Sequence, residues 1–179
     1  MGLGYLGLMD GNELREIQRP LKEAYRANPQ GATVTLSAEG RLADTEVACS
    51  VQTGRALVEA GLHPATGGDG SLACSGDMLL QALVACAGVT LRSVATNRGI
   101  DVTGTVRAEG DLDFRGTLGV DREAPVGFRS IRLTFDLRSD APPGDLDRLV
   151  ATTERYCVVL QTLATSPALE VARTVADSN

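Results

Sequence analysis

The side chains in this sequence that are best suited to chemistry are thiols. The chain has four cysteines, at positions 49, 74, 86 and 157, and a single histidine, His63. This spacing does not make a zinc pattern, and imidazole-based catalysis has only one candidate residue, so we expect no metal site. Four cysteines in 179 residues without a secretory signal are not typical of a disulfide framework. We therefore interpret them as thiols in a reducing, cytoplasmic compartment.

The composition excludes several classes of function. The formal charge of −6 and the isoelectric point near 4.8 argue against a surface that tracks the phosphates of a nucleic acid. The stretch Gly67-Gly68-Asp69-Gly70 is rich in glycine but lacks the spacing of a phosphate-binding loop. The apolar run Met78–Ala95 is long enough to span a membrane. Because it contains Gln81 and Arg92 and lacks an aromatic belt, we interpret it as a buried core helix.

The elements that must position these thiols follow from hydrophobic periodicity. Their order indicates an α+β fold rather than a parallel sheet. In chain order, the sequence predicts a helix over 10–28, which Pro20 either kinks or divides into two, an antiparallel meander within 32–61 with strands at 46–53 and 55–60, and a loop at 61–76. It then predicts a helix at 77–98, strands near 101–110 and 127–138 with a polar connection or short edge strand at 110–116 between them, a helix near 145–163 and a strand near 168–175.

Two cysteines fall within predicted helices. Cys86 lies in the apolar central helix, and Cys157 lies in the last helix. A cysteine in such a place can be a small buried hydrophobe without reactivity. Reactivity needs a lowered pKa, which a cation or a network of hydrogen bonds must supply. The small residues Ala85, Ala87 and Gly88 would admit a ligand or another helix equally well.

The residues around these cysteines resemble a known family. Asp77-Met-Leu-Leu-Gln-Ala-Leu-Val-Ala-Cys86, then Thr90-Leu91-Arg92 and later Tyr156-Cys157, are similar to the OsmC/Ohr family, of osmotically inducible and organic-hydroperoxide-resistance proteins. The resemblance covers roughly residues 32–177. It implies an N-terminal helical extension at 1–31 and an OsmC-like domain at 32–179.

The resemblance also implies an architecture and a reaction. The fold would have antiparallel sheets wrapped around two long central helices, in an intertwined homodimer with its sites at the subunit interface. Cys86 would attack a hydroperoxide and become a sulfenic acid, and Cys157 would condense with it to a disulfide. An external dithiol such as a lipoyl group would then reduce that disulfide, without a bound cofactor. The alternative is a redox-inert OsmC-like protein that binds a small molecule or serves a stress response.

Two positions depart from the pattern of the peroxidase branches. There, a Glu ten residues before the first Cys holds an Arg over the thiolate, whereas position 76 here is Gly and the acid is Asp77. Asp77 either organises the site or caps the central helix. No Arg has the matching spacing, since Arg55 lies further upstream. His63 is either a cationic, substrate-binding stand-in or a turn residue before Pro64.

The remaining candidates stay open on the sequence alone. Cys74 is an alternative resolving thiol or a semi-exposed structural residue, and Cys49 is interpreted as core. Glu154 and Gln161 would share the helical face of Cys157. There, Glu154 would raise the pKa of the thiol, unless it lies on a solvated edge. An apolar lining formed by Leu79, Leu83 and Val89 would favour an organic hydroperoxide over a small polar peroxide.

Overall fold

The protein was studied as a computed structural model that describes residues 11–42, 49–51, 60–71 and 73–173. Helices and an antiparallel sheet are mixed along the chain, as the α+β prediction requires. The elements are α1 (Gly11–Ala27), β1 (Thr33–Leu42), β2 (Cys49–Val51), β3 (Ala60–Gly61), β4 (Ala73–Cys74), α2 (Ser75–Arg98), β5 (Thr103–Asp113), α3 (Phe114–Thr117), β6 (Phe128–Arg138), α4 (Pro143–Tyr156) and α5 (Val158–Ala164), with 3₁₀ turns at Pro29–Ala32 and Pro64–Thr66.

The main sheet has the strand order β2-β1-β5-β6, and every neighbouring pair is antiparallel. Thr33 pairs with Asp113 at one end of the β1–β5 ladder, and the β5–β6 ladder carries an irregularity next to Leu112. Side chains of β5 alternate between the two faces of the sheet, so Val106, Ala108 and Leu112 are all buried in the core. The long helix α2 contributes to the same core, which makes the sheet the platform for the central helix.

The predicted meander is only partly correct. Of the strand predicted at 46–53, residues 49–51 form β2, antiparallel to β1, and the rest lies outside the described residues. Most of the strand predicted at 55–60, including Arg55, lies outside the described residues. Its end, β3, does not continue the meander but pairs in parallel with β4, with Gly61 opposite Cys74. This pairing closes the base of the loop that carries His63.

The central helix extends further than the sequence predicts. It begins at Ser75, two residues early, with Cys74 at the N-cap and no capping hydrogen bond from a side chain. The alternative that Asp77 caps the helix is therefore wrong: Asp77 lies in the first turn, where a carboxylate still suits the helix dipole. The predicted end is correct, because Gly99 adopts the left-handed conformation with φ of 64° and stops the helix.

By length and composition alone, α2 could cross a membrane. In this fold its buried side chains, among them Leu80, Leu83, Val84 and Leu91, belong to the hydrophobic core. The core helix of a globular protein has the same character.

The N-terminal helix packs against the loop of His63. It is one continuous helix through Pro20, rather than two helices. The Tyr25 hydroxyl donates to the carbonyl of Ala65 at 2.8 Å, and the Gln18 amide donates to the carbonyl of Thr66 at 3.3 Å. These bonds tie α1 to the 3₁₀ turn at Pro64–Thr66.

The polar connection or short edge strand predicted at 110–116 is wrong. Residues up to Asp113 belong to β5, the strand between β1 and β6. The acidic side chains of this stretch have hydrogen-bonding partners in the fold. Asp111 accepts hydrogen bonds from Arg132 and Ser130 on the neighbouring strand. Asp113 is 1% exposed, caps α3 and forms an ion pair with Arg115 at 2.6 Å. Buried carboxylates are tolerated when they are paired in this way.

Two predictions fail at the C-terminus. The single helix predicted at 145–163 is two helices, α4 and α5, which are separated by a break at Cys157. The strand predicted at 168–175 is absent from the part that the structure describes, up to 173. The side chains of Leu169 and Val171 are instead exposed, without a neighbouring strand to pair with among the described residues.

Candidate active site

Cys86 and Cys157 lie 71 positions apart in the sequence and meet in the fold. Cys86 is partly buried in the middle of α2, whereas Cys157 is completely buried at the junction of α4 and α5. Both are free thiols, and the Cys157 thiol donates a hydrogen bond to the Cys86 sulfur. The two cysteines that the family resemblance pairs are therefore in direct contact.

Cys157 owes its position to the break between the two helices. Its backbone is extended, with φ of −71° and ψ of 106°. Its N–H donates to the Thr153 carbonyl at 2.8 Å, which is the last bond of α4. Its carbonyl accepts from the Gln161 N–H at 2.9 Å, which is the first bond of α5. The N–H groups of the first turn of α5 consequently have no carbonyl partner within the helix.

These N–H groups donate to the two sulfurs. The N–H groups of Val158 and Val159 lower the pKa of Cys86 by hydrogen bonding to its sulfur, and those of Leu160 and Val159 act in the same direction on Cys157. The hydroxyl of Thr90, one turn along α2 from Cys86, donates to the same sulfur. Cys86 thus receives hydrogen bonds from two backbone amides, one thiol and one hydroxyl.

The pair is electrostatically asymmetric. Burial alone would raise the pKa of Cys86, but the hydrogen bonds from Val159, Cys157, Val158 and Thr90 outweigh it and lower that pKa. Burial raises the pKa of Cys157 to about 11, and the hydrogen bond that its proton makes to Cys86 acts in the same direction. Cys86 therefore ionises first, while Cys157 keeps its proton.

The lowered pKa of Cys86 arises from neutral donors. Among the described residues, neither Asp77 nor His63 is one of the groups that lower it. Of the two routes to a reactive thiol, a cation or a hydrogen-bonded network, the structure therefore provides the network. Three of the four donors belong to the segment at the helix break.

His63 and Asp77 form a second cluster. The Nδ1 atom of His63 accepts from the Ala65 N–H at 3.0 Å, which leaves Nε2 to carry the proton of a neutral imidazole. The ring stacks on Phe114, with 5.0 Å between ring centroids. His63 is thus the turn residue before Pro64 that one alternative predicts. Burial raises the pKa of Asp77, and only a protonated His63 would oppose that rise. The substrate-binding role of His63 and the catalytic role of Asp77 stay predictions.

The other candidates take structural positions. Cys74 is a free, half-buried thiol at the start of α2 and packs against the core. The side chain of Cys49 lies outside the described residues. Glu154 is exposed, as the solvated-edge alternative predicts. The shared helical face of Glu154, Cys157 and Gln161 is wrong, because the break interrupts the helix between them.

An apolar groove of about 590 Å³ lies between α2, β6 and α5. Leu79 and Leu83 line it, and they precede Cys86 by seven and three residues, which places them on the same face of α2. Leu160 and Leu163 line it from α5. Val89, the third residue of the predicted lining, is exposed and is not among the lining residues that the structure describes.

Sequence reasoning missed the donors at the helix break. The segment Tyr156-Cys157-Val158-Val159 contains neither Gly nor Pro, the usual signals for the end of a helix. A backbone N–H carries no signature in the sequence, so Val158 and Val159 could not be singled out. Thr90 was within reach of sequence reasoning, because it lies four residues after Cys86 on a predicted helix. No group of three or more metal-ligating side chains occurs among residues 11–42, 49–51, 60–71 and 73–173.

The site can be compared with known proteins. Residues 68–172, more than half of the chain, match the family model of OsmC-like proteins. The fold is similar to the crystal structure of an OsmC-like hydroperoxide resistance protein from Jannaschia sp. CCS1, with a TM-score of 0.55. That match covers 82% of this chain and 97% of the other at 18% identity, so it supports a shared fold alone. Comparison with curated protein sequences gives no match.

Proposed function

Because the chain belongs to the family of OsmC-like proteins, we propose that it is a thiol-dependent peroxidase that reduces organic hydroperoxides. The observation that carries the proposal is the asymmetric thiol pair, in which Cys86 has a lowered pKa and Cys157 a raised one. A peroxidase of this kind needs one thiolate to attack and one protonated thiol close by to resolve the product. The likeness to a hydroperoxide resistance protein agrees with this proposal.

The reaction follows from the roles of the two thiols. The Cys86 thiolate attacks the terminal oxygen of the hydroperoxide, the O–O bond breaks, and the departing alkoxide takes a proton from solvent to become an alcohol. Cys86 is thereby oxidised to a sulfenic acid. The Cys157 sulfur then attacks the Cys86 sulfur, and the hydroxyl leaves as water with the Cys157 proton. An external dithiol reduces the disulfide and is itself oxidised to a disulfide.

The apolar groove supports an organic substrate: its residues Leu79 and Leu83 lie within two turns of Cys86 on α2, and neither thiol is among its described lining residues. Leu79 and Leu83, on the same face of α2 as Cys86, offer an apolar surface together with Leu160 and Leu163 of α5. Arg129 and Glu154 also line the groove. An apolar group attached to the hydroperoxide would be bound there, whereas hydrogen peroxide has no such group. We therefore propose that cumene hydroperoxide is a better substrate than hydrogen peroxide.

We also propose a cytoplasmic homodimer with its sites at the subunit interface. Several large apolar side chains near the site are exposed in the single chain. Leu79 and Val89 lie on α2, Tyr156 ends α4, and Val158 is 70% exposed at the start of α5. Exposed apolar side chains concentrated in one region are typical of an interaction surface. Sedimentation velocity tests this part of the proposal, and a monomer would contradict it.

The decisive experiment measures turnover of cumene hydroperoxide by the reduced protein with dithiothreitol. Wild type is compared with Cys86→Ser, Cys157→Ser and, as a matched control, Cys74→Ser. We expect Cys86→Ser to abolish turnover and Cys74→Ser to leave it unchanged. After one equivalent of peroxide, non-reducing mass spectrometry should detect a Cys86–Cys157 disulfide.

The redox-inert alternative makes the opposite prediction. If wild type consumes peroxide no faster than Cys86→Ser, the protein is not a peroxidase. A disulfide other than Cys86–Cys157 would remove Cys157 as the resolving thiol, but would leave the role of Cys86 standing.

A further inference from the structure

The break at Cys157 changes the hydrogen bonds of a whole helical turn. In one continuous helix, the N–H of Val158 would donate to the Glu154 carbonyl, and those of Val159 and Leu160 would donate to the next two carbonyls. None of the three would then be available to a sulfur. The extended backbone at Cys157 redirects all three towards the thiol pair.

One side chain compensates for the break. The carbonyl of Glu154, which would accept from Val158 in a continuous helix, accepts instead from the Nε2 atom of Gln161 at 2.8 Å. Gln161 is also the residue whose N–H makes the first bond of α5, to the Cys157 carbonyl. Its backbone and its side chain therefore span the break from the α5 side.

We propose that Gln161 is a positioning residue of the thiol site, whose side-chain amide holds the helix break open so that the N–H groups of Val158 and Val159 face the Cys86 sulfur. Its importance for turnover rests on the peroxidase function proposed above. Its effect on the ionisation of the Cys86 thiol does not depend on that function. Nothing in the local sequence enforces the break, so a contact that occupies the Glu154 carbonyl stabilises the open arrangement against a continuous helix.

The experiment follows the ionisation of Cys86 by its rate of alkylation. Reduced protein is treated with iodoacetamide between pH 5 and 10, and mass spectrometry resolves the modification of each cysteine. The variants are Gln161→Leu, which removes the donor, and Gln161→Glu, which keeps the shape but presents only acceptor oxygens. Thr162→Ala, at the next and exposed position of α5, is the matched control.

We expect Gln161→Leu and Gln161→Glu to shift the alkylation profile of Cys86 to higher pH. The rate at pH 7 should fall about two- to fivefold, as the loss of part of a hydrogen bond to a charged sulfur implies. The rate at high pH, where the thiol is fully ionised, should not change. Thr162→Ala should match wild type.

Two results would overturn the proposal. The first is an unshifted profile in both Gln161 variants, even if thermal stability falls, because Gln161 would then be merely structural. The second is a shift in Gln161→Glu alone, because the added charge would then be the cause. If wild type does not reduce peroxide but the profile shifts in both variants, the proposed function fails and this inference stands.

Discussion

Replacing Cys157 separates its two roles at the site, as a hydrogen-bond donor to Cys86 and as a resolving thiol. Cys157→Ala removes both the donor and the reactive sulfur. Cys157→Ser removes the sulfur but keeps an O–H group that can donate to Cys86. We expect Cys157→Ala to raise the pKa of Cys86, and Cys157→Ser to leave it close to that of wild type.

The size of the effect follows from the number of donors. Four groups donate to Cys86, and the N–H groups of Val158 and Val159 and the hydroxyl of Thr90 remain in both variants. A thiol is a weak donor, so its loss should cost the thiolate about 0.5–1.5 kcal/mol. At pH 7 the alkylation rate of Cys86 should then fall about two- to tenfold in Cys157→Ala.

The assay is again the alkylation of Cys86 as a function of pH, resolved by mass spectrometry so that Cys74 does not contribute. In wild type, Cys86 should react first. Cys157, with a pKa of about 11, should react only at strongly alkaline pH. At pH 8, about one molecule in a thousand would carry the Cys157 thiolate.

Two outcomes would refute this reasoning. If Cys157→Ala and Cys157→Ser both reproduce the wild-type profile, the Cys157 thiol does not stabilise the Cys86 thiolate. If Cys157 is alkylated before Cys86 in wild type, the asymmetry of the pair is reversed, and the proposed attacking and resolving roles are exchanged.

The remaining predictions concern stability and are checked by chemical denaturation. The Arg115 guanidinium holds the pKa of Asp113 below its usual range, so the pair stabilises the fold above pH 4, and this contribution is lost as the pH falls through the folded-state pKa. Asp113→Asn should therefore lower the free energy of unfolding by about 1–3 kcal/mol at pH 7, and by less at pH 3; an equal loss at both would contradict the ion pair. Gly116→Ala should destabilise by about 1–3 kcal/mol, because its Cβ would lie 2.5 Å from a backbone oxygen, whereas Gly127→Ala, with open space around it, should be close to neutral. Equal effects of the two glycine variants would show that the backbone around position 116 shifts to accommodate the added Cβ. Tyr25→Phe should cost about 1 kcal/mol, through the lost hydrogen bond to the 3₁₀ turn, and no change would mean that water donates to the Ala65 carbonyl in place of the Tyr25 hydroxyl.

Local periodicity was sufficient for the regular elements of the fold. The helix α2 and the strands β5 and β6 were predicted close to their observed bounds, because each carries a long run of one period and α2 ends at a glycine that suits a C-cap. These are properties of neighbouring residues, so the sequence alone contains them.

The wrong predictions, at the end of β5 and at the helix break, share a different cause. The sequence predicts a connection or short edge strand at the polar end of β5 because Asp111 and Asp113 have poor strand propensity. Their partners Arg132 and Arg115 satisfy them only in the folded chain. The helix break at Cys157 likewise has no local signal, since the hydrogen bonds that replace the helical ones end on a residue of α2.

The features of the site likewise divide into those that the sequence determines and those that only the fold decides. The sequence by itself determined which residue types could react, and its resemblance to a family paired Cys86 with Cys157. Only the tertiary structure decided that Cys86 is the thiol with the lowered pKa and that neutral donors, rather than His63 or Asp77, lower it. The reason is physical: a thiol's pKa depends on burial and on hydrogen bonds. Here three of the four donors come from a segment about 70 residues further along the chain.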